Sequence, residues 1–344
     1  MERENLKTYR LEEIEKLIKD LSLPSYRAKQ LIHWIYKRYA NCIDEITEFS
    51  KSLREKLSEK YCIGNIKLID RKIASDGTEK FLWLLDDGEN IESVLIPDKD
   101  RLTLCISSQV GCPLRCKFCL TGYSGFKRNL LSWEILDQYI QVSKVIEEEN
   151  RKITNIVFMG MGEPLLNFDN VVDALWRFKR LINFSPRRIT LSTAGIIPAL
   201  RELSFKAPPV KLAISLNAPE DITREYLMPI NKKYPLSKLV EVLREYPLKQ
   251  GQRITFEYVM IKNLNTSEEQ AIRLSKLLRG IPSKINLIPF NPWEGCEFER
   301  PSEEEILRFQ QILISKGFSV FIRKSKGTDI YAACGQLKAH YRAK

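Results

Sequence analysis

The sequence lacks the features that would place it in a membrane or direct it out of the cell. No apolar run approaches the roughly 20 residues that a helix needs to span a bilayer. The first residues, MERENLKTYRLEEIEKL, are charged and lack the apolar core of a signal peptide. We therefore expect a cytoplasmic protein without membrane contact. In that reducing compartment, clustered cysteines are more often metal ligands or catalysts than disulfides.

Two common nucleotide-binding motifs are also absent, since neither a Gly-rich dinucleotide fingerprint nor a P-loop follows a first strand. No internal repeat or low-complexity segment stands out. Hydrophobic residues make up 44% and charged residues 29% of the chain, which is ordinary for a globular enzyme. The 55 basic and 44 acidic residues give a net charge of +11, which favours a polyanionic partner.

A length of 344 residues suggests about two domains. Residues 1–62 contain two segments with apolar residues at helical spacing, RLEEIEKLIKDLSL and SYRAKQLIHWIYKRY. The basic residues of the second segment fit either a solvated face over a small helical core or a surface that docks RNA. We predict a helical N-terminal accessory domain that docks RNA. Residues 63–99 change to short strand-like runs separated by the turn signals SDGT and DDGEN, which predicts a small antiparallel β extension.

Residues 100–344 alternate apolar strands with helical patterns, which predicts an α/β fold with a parallel sheet, either doubly wound or barrel-like. The expected strands are LTLCISS, NIVFMG, RITLST, VKLAISLN, RITFEYVMI, KINLIPFN and SVFIRKS. In such folds the chemistry gathers at the carboxyl ends of the strands. The segments GMGEP, STAG, SLNAP and PFNPW stand at those positions.

Four of the eight cysteines lie within the segment LTLCISSQVGCPLRCKFCLTG. Cys112, Cys116 and Cys119 have C-x3-C-x2-C spacing, whereas Cys105 precedes them by seven residues inside a strand pattern. A zinc knot of all four is one interpretation, but zinc sites usually consist of two close pairs. Three thiolates suit a [4Fe–4S] cluster better, because each binds one corner and leaves the fourth iron open. An open iron can chelate S-adenosylmethionine, whose reductive cleavage gives a 5′-deoxyadenosyl radical.

The chain resembles the radical S-adenosylmethionine rRNA adenosine methyltransferases of the RlmN/Cfr family. The resemblance runs from about residue 5 to residue 340 and rests on CISSQVGCPLRCKFC, GFKRNL, FMGMGEPLLN, RRITLSTAGIIPAL, LMPINKKYP, INLIPFNP and DIYAACGQL. It implies a partial (β/α)6 barrel in residues 100–344, preceded by the helical domain and the β extension. It also implies a [4Fe–4S] cluster held by the three clustered cysteines, with two S-adenosylmethionine molecules used per turnover.

The resemblance gives three further residues a catalytic role. Cys334 matches the cysteine that is first methylated and then carries the methylene group to the adenine. Cys105 matches the thiol that resolves the protein–RNA adduct by forming a disulfide with Cys334. Glu92 matches the acceptor of the C2 proton. From the residues alone, each of the two cysteines could equally be a packed apolar side chain.

The resemblance also assigns the contacts of the cofactor. The sequence departs from the family at one of these contacts and at one position shortly before Cys334. The contacts are Gly162, Glu163, Ser192, Ser215, Leu216, Asn217 and Asn291. The glycines of GMG are expected to make room for the cofactor. Asn217 stands where histidine is usual, and asparagine can still donate and accept hydrogen bonds. Tyr331 stands where aspartate is common, which leaves the hydrogen bonding of its loop open.

The implied substrates are 23S rRNA, at an adenosine of the peptidyl transferase centre, and the adenosine beside the anticodon of tRNA. Both would be methylated at C2 of the base, by a monomer that takes electrons from a flavodoxin-type donor. Two alternatives remain open: methylation of adenine C8, as in the resistance branch of the family, and a non-catalytic RNA-binding zinc protein. Basic residues beside strand ends are candidates for gripping phosphates. They are Lys127, Arg128, Arg187 and Arg188.

Overall fold

The computed structural model describes residues 3–338 and begins with a small helical unit. Its elements are β1 (Glu4–Asn5), α1 (Leu11–Asp20), α2 (Tyr26–Tyr36), α3 (Lys51–Lys60) and β2 (Tyr61–Cys62), and the two short strands pair in parallel. Helix α1 buries Ile14, Leu17 and Ile18, which recur at helical spacing on one face. Ser50 caps the N-terminus of helix α3, because its side chain accepts a hydrogen bond from the Leu53 N–H. The predicted helical segments are confirmed.

The rest of the described chain alternates strands and helices. Its strands are β3 (Lys67–Ile73), β4 (Glu79–Leu84), β5 (Asn90–Asp98), β6 (Arg101–Cys105), β7 (Gln109–Gly111), β8 (Phe126–Asn129), β9 (Asn155–Phe158), β10 (Ile189–Thr193), β11 (Lys211–Ser215), β12 (Ile254–Met260), β13 (Ser283–Pro289) and β14 (Val320–Ile322). Its helices are α4 (Leu120–Tyr123), α5 (Ser132–Glu147), α6 (Phe168–Arg180), α7 (Ile197–Lys206), α8 (Asp221–Leu227), α9 (Leu236–Glu245), α10 (Glu268–Leu277) and α11 (Glu303–Ser315).

One ten-stranded sheet organises the described residues, in the order β14-β13-β12-β11-β10-β9-β6-β5-β4-β3. The seven strands β6 and β9–β14 are parallel to one another, as the strand–helix alternation predicts. They are the seven strands expected from the sequence. The sheet has two edges, β14 and β3, so the barrel does not close on itself. The short pair β7–β8 is separate and antiparallel.

The β extension continues this same sheet, because β3, β4, β5 and β6 pair antiparallel in succession. Leu82 lies opposite Glu92, and Val94 lies opposite Cys105. Opposite residues, and residues two apart on one strand, share a face of a sheet. Glu92 and Cys105 therefore project from the same face, close to the carboxyl end of β6. Residues 339–344, the end of the predicted barrel domain, lie outside the described part of the chain.

The helical unit is bonded to the barrel helices through its first residues. Lys7 is buried and pairs with Asp137 of α5. Arg177 of α6 donates hydrogen bonds to the carbonyl oxygens of Lys7, Thr8 and Tyr9 at 2.7–2.9 Å. Residues 7–9 are thus fixed against the barrel helices α5 and α6. No helix within residues 3–338 is both long and apolar enough to cross a membrane.

Candidate active site

The loop with three cysteines lies between β7 and α4, and the backbone fixes its shape. The Cys112 N–H donates to the Gly125 carbonyl at 2.8 Å, which ties the loop to the β7–β8 pair. The Cys119 N–H donates to the Cys116 carbonyl at 3.1 Å, in a tight turn just before α4. Leu120 donates to the Gly335 carbonyl at 2.7 Å, so this loop also touches the segment that contains Cys334.

The three clustered cysteines open into one cavity of about 170 Å³, which we call the central cavity. Its lining comes from the cysteine loop and from residues at the carboxyl ends of the parallel strands. The chemically active members are Cys112, Cys116, Cys119, Glu163, Ser192, Ser215, Asn217, Glu257, Asn291 and Cys334. The parallel sheet gathers these residues because the carboxyl ends of its strands meet along one edge.

The donor chemistry of the central cavity suits an iron–sulfur cluster together with a polar cofactor. Thiolates are the usual ligands of such clusters. The buried Glu257 carboxylate has one oxygen, Oε2, without a hydrogen-bond partner among residues 3–338, which leaves an acceptor for a ligand. In the same part of the chain, no three His, Cys, Asp or Glu side chains converge closely enough to hold a single metal ion.

Glu163 is held rigidly although it is only 4% exposed. Its two carboxylate oxygens accept hydrogen bonds from the Leu165 N–H at 3.0 Å and the Ala194 N–H at 2.7 Å. Burial raises the pKa of Glu163, and the hydrogen bonds oppose that shift. A carboxylate fixed in this way at the edge of the central cavity is suited to accept hydrogen bonds from an ammonium group.

The two glycines before Glu163 are required by packing within the protein, in addition to their position at the cavity. Gly160 and Gly162 line the central cavity, but a Cβ on either would collide with protein atoms rather than fill the cavity. It would lie 2.7 Å from the Ile106 carbonyl group at Gly160 and 2.6 Å from Gln109 Cβ at Gly162. Gly162 also has a φ of +102°, which other residues rarely adopt. These glycines therefore make room for the close approach of residues 106–109.

Three consecutive residues, Ser215, Leu216 and Asn217, are predicted cofactor contacts, but only two of them line the central cavity. Ser215 and Asn217 line the central cavity, and Ser215 Oγ is 3.5 Å from Ser192 Oγ. Leu216 lies outside the lining, completely buried, and its N–H donates to the Glu257 carbonyl. Asn217 has a φ of +62°, a conformation that asparagine and histidine both tolerate better than most residues. This shared tolerance explains how asparagine can stand where the family has histidine.

Both polar atoms of the Asn217 side chain form hydrogen bonds within the protein. Its Oδ1 accepts from the Val259 N–H at 2.9 Å, and its Nδ2 donates to Met228 Sδ at 3.1 Å. Asn291, on the opposite side of the cavity, donates from Nδ2 to the Cys334 carbonyl at 3.4 Å. Asn291, a predicted cofactor contact, is thus joined to the segment that contains the candidate catalytic cysteine.

Cys105 lies apart from the central cavity and near Cys334. Together they line a second, smaller cavity of about 60 Å³, the thiol cavity, which also includes Arg323. Burial, followed by the charge of the Cys334 thiol, raises the pKa of Cys105 to about 12. Burial also raises the pKa of Cys334, and the Arg323 guanidinium opposes this shift, although part of Cys334 is open to solvent. Cys334 lines both cavities and so connects them.

Glu92 is 5% exposed and contacts the same C-terminal segment. Its Oε1 is 3.1 Å from Lys80 Nζ, and its Oε2 accepts from the Lys338 N–H at 2.9 Å. Tyr331, the second departure from the family, has a φ of +54°, and its carbonyl accepts from Lys80 Nζ at 3.2 Å. The backbone carbonyl, rather than the side chain, therefore makes the local hydrogen bond at this position.

Sequence reasoning missed one buried residue and misjudged another. Arg224 is 0% exposed and donates to the carbonyl oxygens of Ala194 and Leu216, directly behind the central cavity. An arginine among polar helix residues gives no sign of burial in the sequence. Arg128, a candidate phosphate contact, is instead paired with Asp87 and with both oxygens of Glu134. Its charge is already neutralised within the protein.

Comparison with family models defines the class of protein. Residues 106–275 match the model of the radical SAM superfamily, whose members bind a [4Fe–4S] cluster and S-adenosylmethionine. Residues 4–63 match the ribosomal RNA large subunit methyltransferase N-terminal domain. A radical SAM methyltransferase structure from Sphaerobacter thermophilus superposes with a TM-score of 0.94 and 40% identity, covering 98% of this chain and 100% of the other. The chain therefore has the fold of a radical SAM methyltransferase.

Individual relatives narrow the class further. The dual-specificity RNA methyltransferase RlmN of Desulfosudis oleivorans is 48% identical over 92% of this chain and 86% of its own length. The protein of the same name from Syntrophobacter fumaroxidans is 47% identical over 98% of both chains. The chain belongs to the RlmN family of radical SAM methyltransferases.

Proposed function

We propose that this protein is an S-adenosylmethionine-dependent RNA methyltransferase that methylates C2 of adenosine in 23S rRNA and in tRNA. The observation that carries the proposal is the position of Cys334, which lines both the central cavity and the thiol cavity. In this proposal Cys334 faces both the site of the methyl donor and the second thiol, Cys105. A cysteine that carries the methyl group to RNA and must then be freed from the RNA needs both of these neighbours.

The central cavity is the proposed cofactor site. The proposed ligands of the cluster are Cys112, Cys116 and Cys119, and the proposed contacts of S-adenosylmethionine are Gly162, Glu163, Ser192, Ser215, Asn217 and Asn291. Glu163 accepts from the ammonium group, and the buried Leu216 supports the backbone behind the cavity. When bound there, the cluster and the two S-adenosylmethionine molecules used per turnover would supply a methyl group, a hydrogen-abstracting radical and an acceptor for one electron.

Cys334, Glu92 and Cys105 act in sequence on the methyl group and the RNA. The Cys334 thiolate accepts the methyl group, because a thiolate is a strong nucleophile toward a sulfonium carbon. After hydrogen abstraction, the carbon on Cys334 bonds to C2 of adenine, which is too electron-poor to attack a methyl donor itself. The adduct then gives up one electron and the C2 proton, and Glu92 takes that proton.

Release of the product needs the second thiol. Cys105 gives up its thiol proton and attacks Cys334 Sγ to form a disulfide, while the bond between that sulfur and the methylene carbon breaks. The electron pair of the broken bond stays on the carbon, which takes a proton and becomes the methyl group of 2-methyladenosine. The disulfide must be reduced before the next turnover, which a cytoplasmic thiol pool can do.

The partners follow from charge and chemistry. A net charge of +11 suits an RNA substrate, and the exposed Arg187 and Arg188 at the start of β10 remain candidates for phosphate contacts. Arg128 is not among them, because it is already ion-paired. We propose that the protein works as a monomer in the cytoplasm and takes electrons from a flavodoxin-type donor.

Mass spectrometry of nucleosides from treated RNA tests this function. The reconstituted protein should convert adenosine to 2-methyladenosine in both 23S rRNA and tRNA. The matched control is Cys334→Ala, which should keep its iron and form no methyladenosine. Detection of 8-methyladenosine alone would place the protein in the resistance branch, and stoichiometric zinc without iron or sulfide would favour the RNA-binding zinc protein.

A further inference from the structure

Lys80 and Glu92 form an ion pair beside the segment that contains Cys334. Lys80 Nζ lies 3.1 Å from Glu92 Oε1, and the two side chains are only 13% and 7% exposed. Lys80 is on β4 two residues before Leu82, which lies opposite Glu92 on β5. Both side chains therefore project from the same face of the sheet. Because water is largely excluded, the attraction between them is screened less than in a surface pair.

The pair also fixes both ends of the Cys334 loop, which we define as residues 331–338. Lys80 Nζ donates to the carbonyl of Tyr331 at 3.2 Å, at the start of the loop. The Lys338 N–H donates to Glu92 Oε2 at 2.9 Å, at its end. Lys80 and Glu92 thus form one unit that touches the loop on either side of Cys334.

A cavity of about 310 Å³ opens beside this pair, lined by Lys80, Glu92, Trp293, Tyr331 and Lys338 among others. A carboxylate has about four acceptor sites on its two oxygens. The two hydrogen bonds to Glu92 leave acceptor capacity on each oxygen. Glu92 can therefore receive a proton from a group in the cavity while Lys80 and the Lys338 N–H hold it in place.

We infer that Lys80 is a positioning residue for proton transfer to Glu92, and that it acts when the protein–RNA adduct is resolved. The inference rests on the proposed function, in which Glu92 takes the C2 proton. Without Lys80, Glu92 Oε1 loses the cation 3.1 Å away, and only the Lys338 N–H still holds the buried carboxylate, so the side chain can turn away from the cavity. The adduct then lacks a correctly placed proton acceptor and persists.

The test compares Lys80→Met with Lys80→Arg in the full-length, cluster-loaded protein supplied with reductant, S-adenosylmethionine and a 23S rRNA fragment. Three quantities are measured: methylation of Cys334 by peptide mass spectrometry, formation of 5′-deoxyadenosine, and covalent protein–RNA adduct on a denaturing gel. In Lys80→Met we expect the first two to be unchanged within about twofold, while release of 2-methyladenosine slows roughly ten- to a hundredfold and the adduct accumulates. Lys80→Arg should restore release, because it keeps the charge.

Lys72 provides the matched control, since it lies opposite Lys80 on β3, lines the same cavity and does not contact Glu92. Lys72→Met should release product at the rate of the unchanged protein. If Lys80→Met also does so, the inference is wrong. If Lys80→Met loses Cys334 methylation, the lysine only holds the loop, and the inference is equally wrong. Should the methionine variant not fold, Lys80→Gln undergoes the same measurements and is judged by the same outcomes.

Cys105→Ala, measured in parallel, separates this inference from the proposed function. That variant should trap the adduct whether or not Lys80 has the role described. If it forms no adduct, the proposed function fails and the inference fails with it. If it traps the adduct while Lys80→Met releases product normally, only the role of Lys80 is overturned.

Discussion

The Arg224 guanidinium is completely buried next to Ala194 and Ser215, which line the central cavity. It donates to the carbonyl oxygens of Ala194, Ser215 and Leu216 and to Asn231 Oδ1, at distances of 2.7–3.4 Å. Burial lowers the pKa of Arg224 to about 10, so the group remains protonated at neutral pH. One side chain thus joins the residues that follow β10 and β11.

Removing this guanidinium should loosen the cavity and weaken cofactor binding. In Arg224→Met, four acceptors lose their donor, and each buried unsatisfied acceptor costs about 1–3 kcal/mol. We expect a lower melting temperature and a dissociation constant for S-adenosylmethionine that is at least roughly tenfold higher, measured by equilibrium dialysis. The control is Lys211→Met, at an exposed position on β11. Unchanged binding and melting in Arg224→Met would contradict this role.

The residues of the site differ in how visible they are in the sequence. That Cys112, Cys116 and Cys119 share one cavity is predictable, because they lie close together along the chain. The contacts of Arg224 and Lys80 are not, because only folding brings their partners near. These partners are carbonyl oxygens of residues that follow β10 and β11, and a carboxylate on the neighbouring strand. Charged residues are usually exposed, and nothing in the local pattern marks these two as buried.

At the scale of elements, the buried pair Lys7–Asp137 joins the N-terminal unit to α5. The side chains are 1% and 0% exposed, and Asp137 also accepts from the Ile66 N–H at 2.8 Å. Removing one partner of a buried pair leaves an uncompensated charge, which typically costs about 3–5 kcal/mol. We therefore expect Lys7→Met to lower the free energy of unfolding by about that amount, measured by urea denaturation.

A surface pair supplies the control for this prediction. Lys51 and Glu55 on α3 are 84% and 63% exposed and lie 4.0 Å apart. Exposed pairs contribute about 0–1 kcal/mol, so Lys51→Met should hardly change stability. Equal effects of the two substitutions would show that the Lys7–Asp137 pair does not anchor the N-terminal unit.

The elements themselves were largely predictable, because the hydrophobic period changes from helical to strand-like near residue 62 and the strand–helix alternation demands a parallel sheet. How the β extension meets the barrel was not predictable, because the period of a strand does not show which sheet it joins. Strands β5 and β6 form a hairpin in which Val94 lies opposite Cys105, and this register places Glu92 on the same face as Cys105. The glycines of GMG likewise depend on contacts with Ile106 and Gln109 that no local pattern reveals.

In the molecule as a whole, the Cys334 loop is the meeting point of three cavities. The central cavity contains the three clustered cysteines, the thiol cavity contains Cys105, and the third contains Glu92 and Lys80. The proposed function assigns methyl loading, proton removal and resolution to different sides of this loop. The separation of Cys105 from the clustered cysteines is the central claim of this arrangement.

The most direct test of that claim is a denaturing gel of Cys105→Ala after reaction with RNA, with nuclease digestion of any shifted band. Cys105→Ala should retain its iron and accumulate covalently attached to RNA through Cys334, because the resolving thiol is missing. Cys334→Ala should retain its iron and form no adduct, and the double variant should behave like Cys334→Ala. If Cys105→Ala instead loses iron and forms no adduct, Cys105 is a ligand of the cluster and its separation from the other three cysteines is wrong.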